Sequence, residues 1–99
     1  MAKVVERANS EQYVIHDLDI GDLTLSITHL GGMKDTNGHS HPWSEAYYFV
    51  SGSGYVEVDG KATVVGAGSF LDIHPDEFHK VLNCTDEPLS FVCAWTNDA

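Results

Sequence analysis

The chain has 99 residues, 42% of them hydrophobic, and sets 15 acidic side chains against 5 basic ones for a formal net charge of −10. That length supports one domain, near the lower end of what builds a self-sufficient core. Lys3, Arg7, Lys34, Lys61 and Lys80 are too few and too scattered to neutralise a row of phosphates, which excludes nucleic acid and anionic membrane surfaces as partners.

Along the chain, residues 1–7 lack the hydrophobic segment of a secretory signal, and no later apolar run approaches the roughly 20 residues of a membrane span. The expected compartment is therefore the cytoplasm, with Cys84 and Cys93 as reduced thiols. Residues 13–18 read as a strand. Leu23, Leu25, Ile27 and His29 then alternate with Thr24, Ser26 and Thr28, a period of two that predicts a strand with the apolar set and His29 facing inward. Gly31-Gly32 ends it. Strands are expected at 45–50, 55–58, 62–65, 69–73, 78–82 and 89–95, with Asp59-Gly60 marking a tight hairpin between the second and third of these. No stretch of useful length carries a helical period, and short strands at regular spacing mean a sandwich or barrel.

Chemistry concentrates in His39-Ser40-His41-Pro42-Trp43-Ser44-Glu45, answered by His79. In an extended segment residues i and i+2 point the same way, so His39 and His41 can share a centre. Glu45 opens the apolar stretch 46–50, where an inward carboxylate is costly unless paired or metal-bound. Imidazole nitrogen with carboxylate oxygen suits iron, manganese, nickel, cobalt, copper or zinc rather than calcium. The expectation is one divalent transition-metal ion per chain, its identity open, on His39, His41, Glu45 and His79. Alone, the first two histidines would read equally well as turn residues; Glu45 and His79 in register favour ligation.

These spacings resemble the cupin family over roughly residues 23–95. The first cupin signature (glycine, His-x-His, glutamate, glycine) is matched by His39, His41, Glu45 and Gly52, with Gly32 one residue further upstream than the pattern asks. The second is matched by Gly68, His79 and Asn83, with His74 in its proline position and Asp76 in its glycine position. The resemblance implies an all-β, double-stranded β-helix (jelly-roll) barrel enclosing the metal. The chain is then a single cupin domain over 1–99, with N-terminal strands in 1–30 and the barrel core in 31–96.

Three other residues are candidates for moving protons beside the metal: His29, at the inward end of its strand; Tyr47, sharing the parity of Glu45; and His74, in the altered turn. A buried core histidine, a core tyrosine and a surface histidine are their respective structural alternatives. The expected function is Lewis-acid-assisted proton transfer (isomerisation, tautomerisation or lyase chemistry) on a small hydroxylated or carbonyl substrate. The alternatives are a cupin dioxygenase and a non-catalytic ligand- or metal-binding cupin. No dedicated cationic clamp is visible. A small-molecule substrate and a homodimer are the expected partners, since exposed strand edges favour pairing with a second copy.

Overall fold

The computed structural model describes residues 3–97, which form nine strands and, among the described residues, no helix. They are β1 (Lys3–Asn9), β2 (Tyr13–Asp19), β3 (Leu23–Leu30), β4 (Glu45–Ser51), β5 (Ser53–Val58), β6 (Lys61–Gly66), β7 (Phe70–Ile73), β8 (His79–Leu82) and β9 (Leu89–Thr96). Two antiparallel sheets face each other, one ordered β1-β2-β3-β9-β4-β7 and the other β6-β5-β8. They are not closed by hydrogen bonds into one continuous cylinder, but the layout is that of a jelly roll. Single bridges from Asp35 to Leu82 and from His39 to His79 lay the connection after β3 along the outer edge of β8.

The hairpin forms where expected. Asp59 and Gly60 both take positive φ (47° and 85°), the twist that a two-residue connection between β5 and β6 needs. Strict alternation on β4 buries Glu45, Tyr47 and Phe49 and exposes Ala46, Tyr48 and Val50. Phe49, Leu30, Ile73, Leu89, Val56 and Val81 fill the space between the sheets. Phe91 stacks on this core beside Tyr47 and Phe49, with ring centroids 5.5 and 5.2 Å away respectively.

Strand β3 corrects an expectation. Its buried residues are Thr24, Ser26, Thr28 and Leu30, while Leu25 and His29 are exposed. Register explains the inversion: Thr24, Ser26 and Thr28 pair with Trp95, Cys93 and Phe91, which face inward on β9. At Ser26 and Thr28 the inner face of β3 lines a cavity, and only at Leu30 does it reach the packed core, so small hydroxyl side chains fit there while Leu25 lies outside. Strand β1, absent from the expected set, extends the large sheet beyond β2 and is exposed along most of its length.

Candidate metal centre

Three segments deliver the site: the connection after β3, the start of β4 and the start of β8. His39 and His79 form a bridge in which each backbone N–H donates to the other's carbonyl, at 3.1 and 2.9 Å. Their rings are thereby placed side by side, with centroids 4.5 Å apart. His41 follows two residues later at 4.9 Å from the His79 ring, and Glu45 enters from the start of β4. The imidazole nitrogens of His39, His41 and His79 lie within 4.8 Å of one another. His41, Glu45 and His79 are buried and His39 is at the rim.

Backbone carbonyls orient two of the rings. His41 Nδ1–H donates to the Trp43 carbonyl and His79 Nδ1–H to the Glu77 carbonyl, each at 2.9 Å. Because a carbonyl only accepts, both Nδ1 atoms carry their protons and both Nε2 lone pairs are turned inward. His41 Nε2 then lies 3.1 Å from Glu45 Oε1, and His79 Nε2 lies 3.5 Å from the same oxygen. The second distance is an ion-pair separation without hydrogen-bond geometry, and His79 Nε2 is a buried nitrogen with no hydrogen-bond partner. Lone pairs converging on a carboxylate repel unless a proton or a cation stands between them. The donor set therefore fits a divalent transition metal.

The electrostatics agree. Burial pushes the Glu45 carboxyl up, but the nearby His79 and His41 imidazoles outweigh it and the net shift is downward from 4.5. Burial likewise works against charging His79, yet the Glu45 carboxylate and the Glu77 carbonyl carry the net shift above 6.5. His39 moves below 6.5, first through burial and then through the adjacent imidazoles. Tyr47 is held far above the usual phenol range, chiefly by burial and then by Cys93 and Glu45, so it keeps its proton. Burial also keeps Cys93 a thiol.

The cluster opens into a cavity of about 210 Å³ whose walls include Tyr47, Phe91, Cys93, Ile15, Thr28 and Trp43. Trp43 stacks almost parallel on His41, 6° between planes and 4.4 Å between centroids, at the mouth. Of the three proton-transfer candidates only Tyr47 is here. His29 is on the outer face of β3, its Nδ1 2.7 Å from Ser90 Oγ, because the strand's parity is opposite to the one expected. His74 continues the outward set of β7 after buried Ile73, and its 69% exposed side chain lies 3.3 Å from Asp72. Neither histidine lines the cavity. Missed altogether was Arg7, brought to the cavity wall by β1. No apolar alternation in residues 3–9 signals that strand, so nothing in the sequence pointed to this side chain.

Cys84 is exposed, Cys93 is buried, and both are free thiols. Among the described residues no helix is long and apolar enough to cross a membrane.

Facing antiparallel sheets with a His/His/Glu/His cluster gathered from one connection and two strand starts define a jelly-roll protein with a candidate metal centre. Residues 27–95 match the family model described as "Cupin domain", and the chain belongs to the cupin family. Solved structures agree. A cupin-2 domain protein from Rhodospirillum rubrum aligns with a TM-score of 0.84 at 15% identity, covering 98% of this chain and 70% of that one. A polyketide cyclase from Streptomyces resistomycificus gives 0.78 at 20% identity, over 96% of this chain and 73% of the other. A Lactobacillus farciminis oxalate decarboxylase, in complex with formate, gives 0.85 at 23% identity, over 93% of this chain but 31% of the enzyme. At such identities the likeness establishes the fold alone. No curated protein matches this chain by sequence.

Proposed function

We propose that this protein is a metal-dependent cupin enzyme. His39, His41, Glu45 and His79 hold one divalent transition-metal ion, and a small hydroxylated or carbonyl substrate enters the cavity beside them. One observation carries the reading: the Nε2 lone pairs of His41 and His79, each freed by an Nδ1–H committed to a backbone carbonyl, both face the Glu45 carboxylate. An ion bound there supplies Lewis acidity toward a substrate oxygen. The chain's own contribution is Tyr47, whose buried phenol holds a proton at the cavity wall next to Glu45. This supports Tyr47 as the general acid of an enol–keto or hydroxyl–carbonyl exchange. Trp43, Ile15 and Phe91 give the same space an apolar side. Enzyme names among the structurally similar proteins support catalysis over simple binding.

Oxidation of the substrate by dioxygen is the second reading. It is favoured by the position of His29 and His74 outside the cavity, which leaves Tyr47 as the one of the three proton-transfer candidates on its wall. Tyr47→Phe separates the two. Proton-transfer chemistry predicts a loss of about 100-fold or more in turnover with metal content unchanged; oxidation predicts oxygen uptake that survives the substitution. Absence of metal-dependent turnover with either metal type, iron or zinc, would leave a binding protein and overturn both.

A further inference from the structure

The cavity runs on past the histidines to a wall built by the N-terminal strands. Arg7 comes from β1, Tyr13 and Ile15 from β2, and Ser26 and Thr28 from β3, with Trp95 from β9 at the side. Arg7 is the one permanent cation among the described lining residues, in a chain of net charge −10. Its guanidinium is held along one edge. Nε–H donates to Asp17 Oδ2 at 2.6 Å, a terminal N–H donates weakly to Ser26 Oγ at 3.4 Å, and the group lies 5.9 Å from the Trp95 ring centroid. Of the five N–H donors of an arginine, the remaining three have no partner assigned by these contacts. Anchoring by Asp17 fixes the fork, and the half-exposed side chain is within reach of a small molecule in the cavity.

We propose that Arg7 binds the carboxylate of a small organic acid whose other end, an oxygen function, lies at the histidine cluster. For that far end the inference rests on the metal-site reading; the Arg7 contact stands without it. A planar fork with free donors suits a carboxylate bidentately. Ile15, Phe91 and Trp95 on the same walls suit a short carbon skeleton. A cavity of about 210 Å³ is smaller than the usual range for drug-sized ligands and suits a small molecule.

The test is calorimetric titration of zinc-loaded protein with the dicarboxylates from malonate to adipate, each against the monocarboxylate of equal carbon number. A carboxylate on zinc contributes to both members of a pair, so their difference reads Arg7. At least one diacid should bind about 10-fold or more tighter than its monoacid, the size of one charge-assisted contact. Arg7→Gln should erase that difference and leave the monoacid unchanged. Arg7→Lys, which keeps the cation but not the fork, should retain part of it, and it carries the test if the Gln variant fails to fold. Equal binding of every pair by the wild type, or a difference that survives Arg7→Gln, overturns the proposal. Failure to take up zinc counts against the metal-site reading instead. Titrations of the zinc-free chain then read Arg7 alone, and Arg7→Gln should weaken both acids about 10-fold; unchanged affinity overturns the proposal.

Discussion

His41 is constrained on three sides: the Trp43 carbonyl takes its Nδ1 proton, the Trp43 ring stacks on its face, and Glu45 meets its Nε2. Removing it, or His79, should lower bound metal by about 10-fold or more, as loss of an oriented ligand does. His16→Ala is the control, because His16 is half-exposed on β2 beside Glu6 and away from the cluster. Equal metal content in all three variants would contradict the assignment. The pH dependence has a definite sign. In the metal-free chain the lowered Glu45 stabilises the fold above pH 4.5, and that stability is lost as pH falls through its folded value. The raised His79 stabilises below pH 6.5 and stops doing so as pH climbs through its folded value. Metal must displace the His79 proton, so affinity should keep rising well above pH 6.5, where an unperturbed imidazole is already half titrated, and should level off later than such an imidazole would allow. A titration of affinity against pH that levels off at or below 6.5 would count against the Glu45–His79 pairing. Asp76 is a further residue with a geometric duty. It stands where the second cupin signature has glycine, adopts φ of 68°, and donates its N–H to the His41 carbonyl at 2.7 Å. Aspartate tolerates the left-handed region and a β-branched residue does not. Asp76→Val should cost about 1 kcal/mol or more in denaturant unfolding while Asp76→Gly costs little; equal stability of the two would show that the turn is not strained.

Strand β3 shows why some of this was legible in the sequence and some was not. The tetrad could be read because ligand spacing is a local property: two histidines on alternate residues, a carboxylate at the start of a strand and a distant histidine ahead of Asn83 keep their meaning without knowing the fold. The hairpin at Asp59-Gly60 was legible for the same reason. Parity on β3 was not, because alternation tells which residues share a face but only packing tells which face is inside. Here the polar set lines the cavity, so the hydrophobic rule pointed the wrong way and took His29 with it. β1 was silent because its residues are exposed on both sides and gain their order from pairing with β2. Arg7 was lost with it. Asn83, by contrast, proved to be a tie between connections: its buried amide donates to the carbonyls of Leu30, Gly31 and Glu87 at 3.2, 3.0 and 2.7 Å, and its oxygen accepts from Thr85. Asn83→Ala removes the tie between these connections, although the Gly31 carbonyl keeps the Lys34 N–H and the Glu87 carbonyl keeps the Thr85 hydroxyl, and should cost about 1–3 kcal/mol in chemical denaturation. A loss under about 0.5 kcal/mol, the range of an ordinary surface substitution, would show that these bonds are readily replaced by water.

Across the whole molecule the two faces of the large sheet are divided by task. The inner face carries core at one end and cavity at the other, with Tyr47 and Phe91 touching both. On the outer face Tyr48 and Phe70 pair with ring centroids 4.6 Å apart, and Phe70 is 78% exposed. An aromatic cluster of that kind on a small chain is the surface a two-fold homodimer would cover. Sedimentation at micromolar concentration should give twice the chain mass of 10.8 kDa, shifting toward monomer in Phe70→Glu; a wild-type monomer would contradict the dimer expected here. Everything proposed about catalysis depends on the ion, so elemental analysis of protein purified without a chelating column comes first. About one equivalent of iron, manganese, nickel, cobalt, copper or zinc per chain is expected, retained on dialysis and released by strong chelators. Protein that stays metal-free after reconstitution with each of these ions would contradict the metal centre and leave His39, His41, Glu45 and His79 a structural cluster.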